Sequence, residues 1–275
     1  MTADREAPVG VFDSGVGGLT VAREIMRNLP SEKIVYFGDT ARVPYGNKSR
    51  ETVTRFSRQI IRFLQEQNVK AIVIACNTAS SFALDTLEKE FDLPILGVIE
   101  AGAKVAAAAT VNGRVGVIGT EGTIQSRIHE TYLKGIDRKI TVYGKACPLF
   151  VPLVEEGWLH DPVTVEVASR YLQELKDKDI DTLILGCTHY PLIRSTIGKV
   201  MGDTVRLVNP AYETALELKS LLAKLDLEST QQSQEEFPYR FFVSDLAEKF
   251  QHFANSILPY DVSMTRKIDI ERYEG

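Results

Sequence analysis

The sequence runs to 275 residues, 44% hydrophobic and 25% charged, enough for one large globular domain or two of moderate size. A net charge of −5 with no basic run argues against nucleic acid and anionic membrane surfaces as partners. Three cysteines without paired spacing make no disulfide framework, MTADREAPVG lacks a signal-peptide core, and no apolar run nears the roughly 18 residues of a spanning helix, so a cytoplasmic protein with reduced thiols is expected.

VGVFD (9–13) reads as a strand, followed by a helix from about Thr20 with Ala22, Ile25, Met26 and Leu29 at helical spacing. KIVYFGD (33–39) is a second strand, and the next helix carries Phe56, Ile60, Phe63 and Leu64 on one face. AIVIA (71–75) leads into a helix bearing Phe82 and Leu87. Apolar runs of this kind, separated by helices, predict parallel strands buried on both faces. VGVIGT (115–120) then repeats VGVFDS (9–14) at an offset of 106, and TLILGCTH (182–189) repeats AIVIACNT (71–78) at an offset of 111. Two ordered matches at nearly equal offsets indicate an internal duplication. The expected fold is α/β, with two pseudosymmetric domains, each a parallel sheet flanked by helices.

After VRLVNP (205–210) come a helical stretch, AYETALELKSLLAKL, and a polar segment, ESTQQSQEE, read as a surface loop. A strand-like YRFFVSD and a helix with Phe250, Phe253 and Ile257 close the chain. With no third copy of the repeat, this tail is expected to return to the first unit. The domains would then be 1–98 plus 210–275, and 99–209.

In open parallel sheets, ligands bind beyond the carboxyl ends of the strands. Asp13–Ser14, Asp39, Cys76–Asn77–Thr78, Gly119–Thr120 and Cys187–Thr188–His189 are such ends. A lone buried cysteine is usually just a small hydrophobe. Cys76 and Cys187 occupy matching places in two repeats, and a pseudo-twofold axis between the units would bring them to opposite walls of one cleft. Cys147, in KACPLF, lies outside the repeat and keeps the bland reading. DSGVGG (13–18) fails the dinucleotide and P-loop patterns and reads as a tight strand-to-helix turn, able to offer N–H groups to a small anion. VPYGNKS (43–49) is a turn in which Tyr45 and Gly46 are open to a functional role. His189 has no second histidine at ligand spacing, so it reads as a proton partner of Cys187, or as a charge that favours its thiolate, and not as a metal ligand. His129, His160 and His252 are isolated and read as ordinary surface or helix positions.

One thiol beside a histidine suits a covalent nucleophile, and two adjacent thiols suit a redox pair. Two thiols on opposite walls, with Asp13 near Cys76 and His189 near Cys187, suit proton removal from one face of a carbon and return to the other. Ser14, Asn77, Thr78 and Thr188 would bind a carboxylate and stabilise the developing carbanion.

VFDSGVGGLTV, YFGDTARVPYG, ACNTAS and GCTHYPLI resemble the signature blocks of the glutamate racemases, and the resemblance covers essentially the whole chain. It implies a cofactor-independent interconversion of L- and D-glutamate, supplying D-glutamate for peptidoglycan. It further implies a cytoplasmic homodimer whose partner is the small-molecule substrate, bound between the two domains. On this resemblance, Cys76 and Cys187 are the acid/base pair, taking the proton from D- and L-glutamate respectively, with Asp13 and His189 assisting. Asp13–Ser14, Tyr45–Gly46, Asn77–Thr78 and Thr188–His189 would contact substrate, with Asp39 and Glu155 nearby.

Overall fold

A computed structural model describes residues 4–230, 238–260 and 262–273; most of the polar segment ESTQQSQEE lies outside them. In chain order the strands are β1 (Val9–Asp13), β2 (Ile34–Gly38), β3 (Ala71–Ile74), β4 (Ile95–Gly97), β5 (Arg114–Gly119), β6 (Thr141–Ala146), β7 (Thr182–Gly186), β8 (Arg206–Val208), β9 (Tyr239–Val243) and β10 (Arg266–Lys267). Helices separate most of them, and every pairing is parallel. One sheet runs β10-β9-β2-β1-β3-β4 and the other β6-β5-β7-β8. Four strands of the first thus have counterparts, in the same order, in the second.

The sequence repeat is also a repeat of register. Val9 pairs with Ala71 in the first sheet, and Val115 pairs with Thr182 in the second. These are the positions that the offsets of 106 and 111 relate. The larger sheet is extended at its β2 edge by the tail strand β9, with Ile34 opposite Tyr239.

Alternation along each strand fills both faces. Val11, Tyr36 and Val73 enter one core of the first sheet, and Phe12, Phe37 and Ile74 enter the other. In the second sheet Ile118 and Leu185 face one way, Val117 and Ile184 the other. Burial of each large apolar side chain stabilises the fold by about 1.5–3 kcal/mol. The helix Arg50–Glu66 illustrates the local logic: Ser49 caps it by accepting from the Thr52 N–H, and Phe56, Ile60, Phe63 and Leu64 form its buried stripe. The long helix Pro210–Lys224 packs against the helices Leu19–Asn28 and Ile99–Ala109, tying the two sheets together. No described helix is long and apolar enough to cross a membrane.

Candidate active site

The carboxyl ends of both sheets open on one cavity of about 480 Å³. From the first sheet it is lined by Ser14, Tyr45, Gly46, Cys76, Asn77 and Thr78; from the second by Thr120, Glu155, Cys187, Thr188 and His189, among others. The cysteines are free thiols and buried.

Cys76 lies one residue beyond β3 and caps the helix Asn77–Glu90, its sulfur accepting from the Ala79 N–H at 3.4 Å. Its thiol donates to Ser14 Oγ at 3.5 Å. Burial, followed by the charge of Asp13, pushes this thiol up to about 12 against those hydrogen bonds. Asp13 is itself fully buried: Oδ2 accepts from the Gly15 N–H at 2.9 Å, while Oδ1 has no partner. Burial raises its carboxyl above the ordinary range, opposed by the charge of His189 and the neighbouring N–H groups.

Cys187 follows β7 and meets a different environment. Its sulfur lies 3.8 Å from His189 Nδ1, and His189 Nε2 lies 3.2 Å from Glu155 Oε1. Burial disfavours the imidazolium, yet hydrogen bonds to Cys187 and Glu155, with negative charge at Cys187 and Asp13, push His189 up to about 10. The hydrogen bond to His189 holds the Glu155 carboxyl below its usual value against desolvation, helped by the charges of His189 and Lys249. A cavity with a carboxylate behind one thiol and an imidazole–carboxylate dyad behind the other is equipped to move protons from two sides.

The sequence model of the Asp/Glu/hydantoin racemase family matches residues 16–217. The glutamate racemase of Thermoanaerobacter pseudethanolicus is 47% identical over 266 residues, covering 97% of this chain and 98% of the relative. The chain belongs to the glutamate racemase family. It is thereby an isomerase. The same likeness holds in three dimensions. Glutamate racemase isoform RacE1 from Bacillus anthracis superposes with a TM-score of 0.92 at 41% identity, over 96% of this chain and 98% of that one. The Francisella tularensis glutamate racemase, solved in complex with D-glutamate, gives 0.91 at 40% identity over 98% and 100%. The two-domain α/β architecture expected from the sequence is therefore the family's.

Within this glutamate racemase fold, Ser14, Tyr45, Gly46, Asn77, Thr78, Thr188, His189 and Glu155 all line the cavity with the two cysteines. Asp13 and Asp39 do not; both are fully buried behind the wall. Asp39 accepts from the Tyr45 hydroxyl, and so holds the back of a residue whose front lines the cleft.

Sequence reasoning missed Thr123. Thr78 Oγ1 lies 2.9 Å from Thr120 Oγ1 and 3.3 Å from Thr123 Oγ1, a hydroxyl cluster joining the two units. Its signal was Thr120-x-x-Thr123 after β5: Thr120 caps the short helix Glu121–Gln125, accepting from the Thr123 N–H. DSGVGG is indeed a turn, but its glycines answer to close approach more than to backbone conformation. A Cβ on Gly17 would fall 2.3 Å from Thr188 Oγ1 and 2.4 Å from His189 Nδ1.

Two expectations need correction. Cys147, read from the sequence as outside the repeat, occupies a repeat position: it follows β6 as Asp39 follows β2, and substitutions in the second strand hide the match. It remains a core thiol, pushed up to about 12 by burial. His129 sits on a helix but is no surface residue: it is 3% exposed, its Nε2 has no partner, and burial lowers it to about 4.

Proposed function

We propose that the protein interconverts L- and D-glutamate without an organic cofactor, using Cys76 and Cys187 as the two acid/base groups. The observation that carries this reading is the placement of two thiols at register-matched strand ends, lining one cavity. The thiolate of one cysteine takes the α-proton from one face, and the electron pair left on Cα delocalises into the α-carboxylate. The thiol of the other cysteine then delivers a proton to the opposite face. Each turnover therefore leaves the two sulfurs with exchanged protonation states.

Donors for the substrate carboxylates are at hand in Ser14, Thr78 and Thr188 and the backbone at Tyr45–Gly46. Asn77 Oδ1, buried and without a donor, is suited to the α-ammonium. Asp13 assists Cys76, and His189, oriented by Glu155, assists Cys187. In the cell the protein would act as a cytoplasmic homodimer supplying D-glutamate for peptidoglycan.

Incubating L-glutamate with the purified protein, with no cofactor added, should bring the optical rotation to zero. A rotation that stays constant, or that decays only after pyridoxal phosphate is supplied, would refute the proposal. Aspartate and neutral amino acids in the same assay should keep their rotation; turnover of aspartate in preference to glutamate would reassign the substrate.

A further inference from the structure

The loop after β2 forms one wall of the cavity through Val43, Pro44, Tyr45, Gly46 and Asn47. It is poorly anchored by its own packing, since Tyr45 is the one buried residue between positions 41 and 50. Its position matters, because a Cβ on Gly46 would fall 2.5 Å from the Cβ of Thr120 in the opposite unit. Tyr45 is held by core packing, its ring 5.7 Å from that of Phe56, and by a chain of polar contacts running away from the cleft.

The Tyr45 hydroxyl donates to Asp39, which also accepts from Ser244 Oγ at 2.8 Å and from Arg42 Nε at 2.8 and 3.0 Å. Asp39 is fully buried, so without Arg42 its carboxylate would stand uncompensated. Arg42 is held in turn: its guanidinium lies 4.0 Å over the Phe56 ring, and Nη1 donates to Gln59 and, at 3.1 Å, to Glu271. Gln59 Nε2 also donates to Glu271, at 3.3 Å. Glu271 belongs to the C-terminal turn Ile270–Tyr273, which docks on the helix Arg50–Glu66. There Tyr273 is buried and its hydroxyl donates to Glu66 at 2.7 Å.

We propose that this C-terminal turn is a brace for the substrate loop, acting through Glu271, Arg42, Asp39 and Tyr45, with Arg42 and Glu271 as positioning residues for glutamate. The inference rests on the reading that the cavity binds glutamate. Loss of the brace frees the Tyr45–Gly46 backbone, which contacts the substrate but not the reacting carbon. Binding therefore suffers and proton transfer does not.

Glu271→Gln keeps the side-chain shape and removes the charge, and Glu271 is 53% exposed, so folding is not endangered. It should raise KM for glutamate about 3–5-fold with kcat changed less than about twofold, the scale of a partly exposed ion pair. Arg42→Lys, which cannot reproduce the fork, should raise KM about 10-fold. Amide hydrogen exchange across residues 42–48 should quicken in both variants, and exchange in β1 and β3 should not. Unchanged loop exchange overturns the brace whatever the activity. Quicker exchange with unchanged KM, or a fall confined to kcat, overturns the positioning role. If the unsubstituted protein fails to racemise glutamate, the functional reading falls, while the exchange data still decide the brace.

Discussion

Cys76 and Cys187 leave matched positions of matched ladders, one after β3 and one after β7, yet they meet opposite surroundings. Cys76 caps a helix of 14 residues and has a buried carboxylate behind it, and its thiol is pushed up to about 12. Cys187 has His189 at 3.8 Å, whose imidazole is pushed up to about 10 by hydrogen bonds to Cys187 and Glu155 acting against burial. The two frames are equivalent in backbone register and differ in side chains: a buried carboxylate stands behind one thiol and an imidazole beside the other. That division suits the proposed two-base exchange, in which one sulfur gives a proton while the other takes one. An enzyme with two identical half-sites would need some other way to break the tie.

The largest effect should come from removing either thiol. Cys76→Ser and Cys187→Ser should each lower racemisation by at least about a thousandfold, because a serine hydroxyl is far too weakly acidic to exchange roles. The halves separate when an analogue able to eliminate a leaving group after deprotonation is used. Cys187→Ser should still process its D-form and Cys76→Ser its L-form. One variant losing both eliminations, with the other keeping both, would mean a single base and would break the comparison.

Next in size are the helpers. Asp13→Asn and His189→Gln should each reduce kcat/KM by about 10–100-fold, below the full range of general acid–base catalysis. Enantiomers have equal free energy, so each variant must lose kcat/KM equally in both directions. The asymmetry appears instead in isotope effects. Asp13→Asn should enlarge the α-deuterium effect chiefly with D-glutamate, and His189→Gln chiefly with L-glutamate. Identical isotope patterns in the two variants would show that the helpers are not divided between the thiols.

A smaller effect tests the seam. Thr123→Val removes one hydroxyl from the cluster that joins Thr78 to Thr120 and keeps the volume. Loss of one such hydrogen bond, worth about 1 kcal/mol, should raise KM about fivefold. An unchanged KM would assign the cluster to packing alone.

Much of this architecture was legible because parallel strands buried on both faces leave unbroken apolar runs, and because the duplication preserved register at β1, β3, β5 and β7. The two cysteine blocks were visible for the same reason: a polar triplet straight after a buried strand has few structural uses. What stayed hidden depends on three-dimensional closeness. Cys147 escaped the repeat because the second strands have diverged in sequence. Thr123 lies one helical turn past a strand end, and its hydroxyl matters only because Thr78 of the other unit reaches it. Nothing in the spacing of Asp39 shows that it grips Tyr45 from behind. The burial of His129 follows from packing beneath β7, where a Cβ on Gly186 would lie 3.4 Å from its ring.

The buried imidazole gives the smallest effect and extends the comparison from chemistry to stability. His129 belongs to the Cys187 half, and burial lowers it from an ordinary 6.5 to about 4. Its unfolded form binds a proton more readily, so stability is intact above about pH 6.5 and declines as pH falls toward 4, by at most about 2–3 kcal/mol. His189 has the opposite shift, raised to about 10; its contribution is complete below about 6.5 and is lost only as pH rises toward 10, so it is constant across the acid window. In the Cys76 half, Asp13 and Asp39 are raised by burial, so protonating them relieves strain instead of adding it. Between pH 6.5 and 4 the Cys187 half should therefore loosen first, with amide exchange in β5, β6 and β7 quickening before that in β1, β2 and β3. His129→Leu should flatten the fall in melting temperature over that window and equalise the two halves. If the fall persists undiminished in that variant, the acid sensitivity lies elsewhere and the halves differ in chemistry alone.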